Sequence, residues 1–381
     1  MASTRDRQDA LSGEGVTGIE GKRAWVATED FPPKVGGLSR WSENAAATLT
    51  ALGVDVTVLA KKADPAEHDT LPYRVLGVRG RNFPKYRHLH FARAGRKLAE
   101  AEGTPDRLIA LTWLVAEGFM RASLPYPVTV AVHGLEVFRP LSRRAFGRME
   151  RTLRAADRIV AASTFTAEKL AEMLPGVRPV SGINGVDLRL FSPQGERRPG
   201  DFPIQLLSVG RLVERKGFDK VIDVVRAARQ TGLDAGVWIV GEGPLEEDLR
   251  ARSVELGVDE YVIFLGNRGD RDLAVLYRSA DLFVSPCRSD LETGDVEGFG
   301  LTFAEAAACG TASAALAEGG VTDAVEDGVS GILTRRDDFV GRTLELMGDI
   351  DRINEMGIRA RERAERILDI EKTTRKLFPE G

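Results

Sequence analysis

Short apolar runs alternate with amphipathic stretches along most of the chain. In the first half this alternation predicts five strands, at Ala24–Ala27, Val54–Ala60, Arg107–Leu111, Val128–Val132 and Arg158–Ala161. Between the first two strands, Ser39–Leu52 has helical spacing, with one apolar side made of Trp41, Ala45, Thr48, Leu49 and Leu52. Strands that alternate with helices are typical of parallel sheets, in which the strand–helix–strand crossovers are right-handed.

A polar, turn-rich stretch at Phe191–Asp201 interrupts this pattern and predicts a linker. After it the alternation resumes, with strands predicted at Gln205–Val209, Ala235–Val240, Val262–Leu265 and Asp281–Ser285. Helices are predicted between these strands at Asp219–Thr231, Pro244–Leu256 and Asp272–Ser279. We therefore expect an α/β fold with two doubly wound parallel-sheet domains. Such sheets bind ligands at the carboxyl ends of their strands, so the cleft between the domains is the predicted site.

The length of 381 residues agrees with two domains, because a single core rarely grows beyond about 250–300 residues. We place the first domain at residues 22–192 and the second at residues 193–360. Residues 361–381 are predicted to form a terminal helix. Residues 1–21 are polar and glycine-rich, without the apolar core of a secretory signal, and are predicted to be a disordered leader.

The composition, 43% hydrophobic and 29% charged, is that of a globular protein. No stretch approaches the roughly 18–20 apolar residues that a membrane span needs. The two cysteines, Cys287 and Cys309, lie in apolar surroundings and indicate buried thiols rather than a disulfide framework. These features predict a cytoplasmic protein, with peripheral contact to a membrane as an open alternative.

The charge is divided unevenly between the two halves. Residues 1–200 carry 30 Lys and Arg against 22 Asp and Glu, and the remaining residues carry 23 against 35. A basic first half predicts an anionic acceptor or a membrane surface as its partner. Arg139–Arg158 adds a basic stretch with an apolar helical stripe, which either docks on anionic lipid or is a solvated face. Nucleic acid is not predicted, because the basic stretches lack interleaved aromatic residues.

The segment Asp295–Gly310 carries the clearest candidate chemistry. Glu297 and Glu305 are separated by seven residues, and Gly298 and Gly300 precede an alanine-rich helix. A glycine-rich turn that opens a helix offers free backbone N–H groups to a phosphate. Glu305 is placed to accept hydrogen bonds from ribose hydroxyls, and Glu297 to reach a bound sugar. The alternative is a plain strand–turn–helix junction, where a glutamate simply favours the positive helix end.

This segment resembles the Glu–seven residues–Glu signature of the retaining family 4 glycosyltransferases, which include glycogen synthases and phosphatidylinositol mannosyltransferases. The resemblance runs from about Trp25 to Gly331 and also covers Val35–Leu38, Ile183–Asp187, Val209–Gly217 and Val240–Pro244. It implies the GT-B fold, in which two Rossmann-like domains face each other across a cleft. It also implies that the first domain binds the acceptor, that the second binds the nucleotide sugar, and that the terminal helix packs back on the first domain.

The resemblance also implies roles for individual residues. Arg211 and Lys216 are expected to grip the donor diphosphate, neutralising the charge that grows on the leaving group. His133 is expected beside the transferred sugar, and Glu297 against the sugar hydroxyls. The Gly36–Gly37 loop is expected to contact the acceptor, and Gly37 also the donor, because a backbone without a Cβ approaches a ligand closely. The remaining predicted donor contacts are Gly298, Phe299, Gly300, Leu301, Glu305, Asn267 and Arg268.

These observations predict a retaining glycosyltransferase that moves a sugar from GDP-mannose or a UDP-hexose to an acceptor hydroxyl. A nucleotide-sugar epimerase, a sugar phosphorylase of the same architecture, and a non-catalytic nucleotide-sugar-binding protein remain as alternatives. No metal or other cofactor is predicted, because no His/Cys cluster has metal-ligand spacing and Asp270–Asp272 is expected to cap a helix. Arg268 stands where the family usually has an apolar residue, and Val321 where it commonly has proline, so the nucleotide base stays open.

Overall fold

The computed structural model describes residues 18–34, 37–61, 63–80, 87–122, 125–182 and 184–379. Most of the predicted leader, residues 1–17, lies outside the described residues. Its last part is ordered, because Ile19 is buried and the N–H of Gly21 donates to the carbonyl of Gly53 at 2.8 Å. The expectation of a disordered leader up to residue 21 is therefore wrong for residues 18–21, where an apolar side chain anchors the chain to the first core.

The first domain is built on a seven-stranded sheet in the order β3-β2-β1-β4-β5-β6-β7, in which every pairing is parallel. Its strands are β1 Arg23–Thr28, β2 Asp55–Lys61, β3 Arg74–Val78, β4 Arg107–Ala110, β5 Val128–Val132, β6 Arg158–Ala161 and β7 Val180–Ser181. Its helices are α1 Gly37–Ala51, α2 Arg87–Glu102, α3 Trp113–Arg121, α4 Leu135–Phe138, α5 Arg143–Arg154 and α6 Thr164–Met173.

The second domain repeats this arrangement with a parallel six-stranded sheet in the order β10-β9-β8-β11-β12-β13. Its strands are β8 Ile204–Val209, β9 Ala235–Val240, β10 Val262–Gly266, β11 Leu282–Ser285, β12 Ala312–Leu316 and β13 Gly331–Thr334. Its helices are α7 Phe218–Gln230, α8 Glu246–Glu255, α9 Asp270–Ser279, α10 Leu301–Ala308, α11 Val321–Ala324, α12 Phe339–Met347 and α13 Ile350–Arg363.

Both sheets reverse their strand order at the centre, next to their first strand. In the first domain the reversal lies between β1 and β4, and in the second between β8 and β11. Chain segments that leave the two strands at such a point diverge to opposite faces of the sheet, which leaves a crevice at their carboxyl ends. The loops that follow β8 and β11 meet at this crevice, so the topology brings together residues that are about 80 positions apart.

The end of the chain crosses back to the first domain. Helix α13 continues into a π-helical turn at Ala364–Leu368 and then α14 at Ile370–Arg375. The N–H of Val186 donates to the carbonyl of Leu368 at 2.8 Å, and Thr129 Oγ1 donates to the carbonyl of Leu377 at 2.9 Å. The crossing therefore occurs after Arg363, and the boundary placed at residue 360 falls inside a continuous helix.

Among the described residues, no helix is long and apolar enough to cross a membrane. Cys287 and Cys309 are free thiols, and both are buried. The helices and strands predicted within residues 24–285 are all present, with bounds that differ by at most two residues. The single terminal helix predicted at residues 361–381 is instead divided into the end of α13, a π-helical turn and α14.

Candidate active site

The loop after β8 rests directly on the loop after β11. A 3₁₀ turn at Glu214–Lys216 ends at Gly217, whose φ of 69° lies in the left-handed region. A Cβ on Gly217 would stand 2.4 Å from the carbonyl oxygen of Pro286, so only glycine allows this approach. The N–H of Arg288 then donates to the carbonyl of Arg215 at 2.8 Å, which fixes the two loops together.

Two cations from the β8 loop converge on Glu297 from the β11 loop. Lys216 Nζ and Arg215 Nη1 each lie 2.6 Å from Glu297 Oε2, and Arg215 Nε lies 2.9 Å from Asp295 Oδ1. Burial raises the pKa of Glu297, but the charges of Lys216 and Arg215 outweigh it and lower the pKa to about 2. Glu297 is therefore ionised at neutral pH, and within the described part of the chain no donor reaches its Oε1 atom.

Arg211, the predicted partner of Lys216, lies on the same loop but does not pair with Glu297. Its side chain is exposed and forms no ion pair with any described residue. The structure therefore brings Lys216 to Glu297 together with Arg215, which was not singled out from the sequence. The available signal was that Arg215 immediately precedes Lys216 in a short turn, from which neighbouring side chains can reach the same acidic loop.

Helix α10 presents its amino terminus beside this cluster. Its N-cap, Gly300, makes no side-chain capping hydrogen bond, and among the described residues no side chain occupies the first amide groups of the helix. The hydroxyl of Thr302, in the first turn, is buried and finds no partner among the described residues. Phe299 is buried beneath the turn, whereas Leu301 is partly exposed at its rim. Free amides at a helix amino terminus favour an anion.

His133 brings the first domain against this turn. It follows β5, and a Cβ on Gly298 would stand 2.1 Å from the His133 carbonyl oxygen, so the two domains touch here. The His133 ring packs edge-on against Trp41 with 4.9 Å between ring centroids. Its Nε2 atom is buried and has no partner among the described residues. Burial lowers the pKa of His133 to about 4, so the imidazole is neutral at neutral pH.

Glu136 supports the His133 loop and was not identified from the sequence. Its Oε1 accepts the backbone N–H of His133 at 2.6 Å, and its carbonyl accepts Trp113 Nε1 at 2.9 Å. Burial raises the pKa of Glu136 to about 7, although the backbone N–H groups that it accepts oppose the shift. This carboxyl therefore titrates near neutral pH, next to the point where the domains meet.

Glu305 is buried, as a residue inside α10, and both of its oxygens are occupied. Tyr277 Oη donates to Oε2 at 2.9 Å, and Arg40 Nη2 from α1 lies 3.1 Å from Oε1. Arg40 also lies 3.0 Å from Asp270 Oδ1. Burial raises the pKa of Glu305, and the charge of Arg40 only partly offsets it. The carboxylate predicted to bind ribose is thus held by an arginine of the other domain.

Asp270 does not act as the expected cap of α9. The N-cap is Gly269, and it makes no side-chain capping hydrogen bond. Asp270 lies one residue later, in the first turn, where its carboxylate is drawn to the Arg40 guanidinium instead. The expectation that Asp270–Asp272 caps the helix is therefore wrong, because the helix begins at Asp270 and both aspartates lie in its first turn.

The remaining predicted contacts lie around the rim of the cleft. Gly37 opens α1, and the space that a Cβ would fill there is free of other atoms within 4 Å. Gly36 lies outside the described residues. Asn267 and Arg268 are exposed just before α9, where Arg268 Nη1 donates to the carbonyl of Asn267 at 2.9 Å.

The basic stretch Arg139–Arg158 divides into two sets. In the first set the arginines have structural partners: Arg148 pairs with Glu117, Arg154 with Glu150, and Arg158 with the carbonyl of Lys376. The second set is exposed and consists of Arg139, Arg143, Arg144 and Arg151. Arg139 lies at the cleft, since a Cβ on Gly294 of the β11 loop would stand 2.5 Å from its Cα.

Comparison with known proteins matches each half of the chain to a glycosyltransferase family. Residues 35–190 match the family described as Glycosyltransferase Family 4, and residues 194–363 match the family described as Glycosyl transferases group 1. The GDP-mannose-dependent alpha-(1-6)-phosphatidylinositol monomannoside mannosyltransferase of Mycolicibacterium smegmatis is 28% identical over 358 residues, which cover 88% of this chain and 92% of that protein. The glycogen synthase of Mycobacterium tuberculosis is 28% identical over 364 residues, 86% of each chain.

Among solved structures, the sucrose-phosphate synthase from Thermosynechococcus elongatus superposes with a TM-score of 0.75 and 22% identity. The superposition covers 93% of this chain and 96% of that one. At this level of identity the likeness concerns the fold alone. It confirms the expected arrangement of two Rossmann-like parallel-sheet domains, the GT-B fold.

Proposed function

Because this chain belongs to the family 4 glycosyltransferases, we propose that it transfers a sugar from GDP-mannose or a UDP-hexose to an acceptor hydroxyl with retention at the anomeric carbon. One observation carries this proposal above the others. An ionised carboxylate, a lysine and an uncapped helix terminus meet at the carboxyl edge of one sheet, facing a neutral histidine of the other domain whose Nε2 atom is buried.

The donor diphosphate fits between the β8 loop and α10. Arg211 has no competing partner among the described residues, Lys216 is within reach of the β11 loop, and the first amides of α10 complete a positive surface. These groups would stabilise the negative charge that develops as the sugar–phosphate bond breaks. With two cations and a helix terminus in this place, we propose that no metal ion is required, so a chelator should leave the rate unchanged.

The sugar would lie between Glu297 and His133. Oε1 of Glu297 is available to accept hydrogen bonds from sugar hydroxyls, and the unpartnered Nε2 of His133 can bind the sugar or the diphosphate from the opposite side. The acceptor oxygen would bond to the anomeric carbon on the face from which the diphosphate leaves. Its proton passes to the departing phosphate oxygen, so this retaining route needs no enzyme nucleophile.

The nucleoside would lie towards Glu305. For Glu305 to accept ribose hydroxyls, Arg40 has to release Oε1, and nucleotide binding is therefore proposed to rearrange the contact between the domains. Asn267 and Arg268 stand at the base end of this path. GDP-mannose is the first donor to test, because the mannosyltransferase relative is described as GDP-mannose-dependent.

The acceptor is proposed to be anionic and to approach past the exposed arginines of the first domain. Arg139, Arg143, Arg144 and Arg151 are exposed, and Arg139 lies where the first domain meets the β11 loop. Gly36 and Gly37 would line the acceptor side of the cleft. The same arginines would serve a cytoplasmic enzyme that contacts an anionic membrane peripherally, as the phosphatidylinositol-based acceptor in the relative's name suggests.

A thermal-shift panel of nucleotide sugars tests the donor. Ligand bound to the folded state stabilises it by about 2.7 kcal/mol at a hundredfold excess over Kd. We expect GDP-mannose or one UDP-hexose to raise the Tm clearly, and Arg211→Ala to remove most of the increase. The bound sample is then analysed by mass spectrometry. An isomerised sugar without acceptor would indicate an epimerase, dependence on inorganic phosphate would indicate a phosphorylase, and no shift with any donor would contradict the proposal.

A further inference from the structure

The side chain of Glu297 has two cationic partners, although in the proposed reaction one of them binds the donor diphosphate instead. Lys216 and Arg215 both bind the Oε2 atom, at 2.6 Å each. The side chains of Lys216 and Glu297 are each only 13% exposed, so the cluster is largely withdrawn from water. In the proposed function Lys216 binds the donor diphosphate, and it then has to leave or loosen its contact with Glu297.

If Lys216 moved to the diphosphate and no second cation were present, the buried carboxylate of Glu297 would be left without a partner. Removing one partner of a buried ion pair is strongly unfavourable, because the remaining charge has lost its water and gains nothing in return. A stranded glutamate escapes this cost by taking up a proton, which would change both its charge and its hydrogen bonding to the sugar. The geometry therefore demands a partner that stays with Glu297.

Arg215 is held so that it remains in place. Its guanidinium bridges Glu297 and Asp295, with Nη1 on the first carboxylate and Nε on the second at 2.9 Å. Its backbone carbonyl is fixed by the N–H of Arg288. A planar guanidinium suits two carboxylates at once, whereas a lysine ammonium on a flexible stem moves more readily to a new anion.

The backbone of Glu297 is anchored separately. Its N–H donates to Ser289 Oγ at 3.1 Å, and the N–H of Ser289 donates to Glu318 Oε2 at 2.7 Å. Arg336 pairs with Glu318 through its Nε atom at 2.6 Å. These contacts fix where the Glu297 main chain lies, but they leave the direction and charge of its carboxylate to the two cations.

We propose that Arg215 is a positioning residue that holds the Glu297 carboxylate in place when the donor diphosphate draws Lys216 away from it. The inference rests on the proposed function, since it assumes that the diphosphate binds at Lys216. Arg215 acts through Glu297 and does not touch the reacting atoms. Lys216 is then the mobile cation of the pair and Arg215 the fixed one.

The inference is tested by the protons exchanged when a nucleoside diphosphate binds. GDP and UDP are titrated at pH 6 by calorimetry in two buffers with different ionisation heats, and the one that binds wild type is used further. Wild-type Glu297 stays ionised. In Arg215→Gln, Glu297 has no cation left once Lys216 binds the diphosphate, and it takes up a proton. We therefore expect diphosphate binding to take up more protons in this variant than in wild type. The titration of the free diphosphate is common to both proteins and cancels.

Kinetics give an independent readout. We expect Arg215→Gln to lower kcat/KM for the nucleotide sugar by about ten- to a hundredfold at pH 6, the usual range for loss of one hydrogen bond to a charged group. The loss should shrink as pH rises, because Glu297 then ionises without its cation. Arg215→Lys should restore much of the activity and remove the excess proton uptake.

Arg252→Gln is the matched control. Arg252 pairs with Asp223 between α7 and α8, outside the cleft, so this variant should behave as wild type. The inference is overturned if wild type binds and transfers but Arg215→Gln takes up as many protons as wild type and shows the same pH dependence of kcat/KM. Failure of wild type itself to bind GDP, UDP or any nucleotide sugar would overturn the proposed function instead.

Discussion

At the scale of single residues, the site contains charged side chains that pair with one another and polar side chains that have no partner among the described residues. Lys216 and Arg215 already pair with Glu297 in the cleft. Arg211 is exposed, and the buried Nε2 of His133 has no partner among the described residues. Substitution of a residue without such a partner should therefore affect ligand binding more than folding, and substitution of a paired residue should affect both.

Arg211→Ala should separate binding from stability. Because the side chain has no partner among the described residues, its loss should change the free energy of unfolding by no more than about 0.5 kcal/mol. The affinity for GDP or UDP should fall by about ten- to a hundredfold, since a charge-assisted contact to phosphate is lost. Denaturant unfolding and calorimetry measure the two quantities. An unchanged affinity would show that the diphosphate lies elsewhere.

Glu136→Gln should change how stability depends on pH. The folded-state pKa of Glu136, about 7, is above its ordinary value of 4.5. Its contribution to stability is thus fully present below about pH 4.5 and is lost as pH rises through 7. Glutamine keeps an oxygen for the His133 N–H but does not titrate. Between pH 5 and pH 8, the free energy of unfolding of the variant should rise relative to that of wild type. If the two free energies changed with pH in parallel, the raised pKa would not belong to Glu136.

At the scale of elements, the turn before α10 connects the two domains. Gly298 touches the end of β5 at His133, and the next residues open the helix that is proposed to bind the diphosphate. A movement of the first domain therefore reaches the diphosphate site through this backbone contact. This arrangement makes the turn sensitive to a single added methyl group.

Gly298→Ala should abolish most activity while both domains stay folded. The new Cβ would stand 2.1 Å from the His133 carbonyl oxygen, so the β5 loop and the turn must move apart. Gly341→Ala in α12 is the control, since no atom lies within 4 Å of its Cβ position and alanine favours a helix. Transfer assays and far-ultraviolet circular dichroism measure the outcome. Full activity in Gly298→Ala would mean that this contact is not used during turnover.

At the scale of the whole molecule, Arg40 ties the first domain to the nucleotide side of the second. It spans from α1 to Glu305 and Asp270, so the carboxylate proposed to bind ribose is engaged while the domains are in contact. Nucleotide binding and the arrangement of the domains are therefore coupled through the same carboxylate. A ligand that takes Glu305 must give up part of the interdomain contact energy.

Arg40→Ala should strengthen nucleotide binding and weaken the fold. Without Arg40, the ribose hydroxyls meet no competitor at Glu305, so the affinity for GDP or UDP should rise by about three- to tenfold. The free energy of unfolding should fall by about 1–3 kcal/mol, because a half-buried charged contact is lost. Calorimetry and denaturant titration report the two changes. Weaker binding in Arg40→Ala would show that Arg40 helps to hold the ligand rather than compete with it.

Much of the architecture was readable from the sequence because a buried strand or an amphipathic helix leaves a local pattern, although β3, β12 and β13 were not identified. Strands such as Val128–Val132 and Ala235–Val240 appear where their apolar runs predict them. The short edge strand Val180–Ser181 was not identified, because two residues carry no periodicity. The pairing of Arg40 with Glu305 was also beyond reach, since it joins residues 265 positions apart across two domains. Long-range ion pairs depend on how sheets face each other, which no local pattern records.

A transfer assay tests the central claim most directly. The protein is incubated with GDP-mannose or the UDP-hexose that stabilises it, together with a lipid extract that contains anionic acceptors, and both products are followed by mass spectrometry. We predict that nucleoside diphosphate is released in step with an acceptor that gains one sugar residue, and that Glu297→Ala and Lys216→Ala abolish both signals. A folded protein that binds the nucleotide sugar but never glycosylates any acceptor would contradict the account.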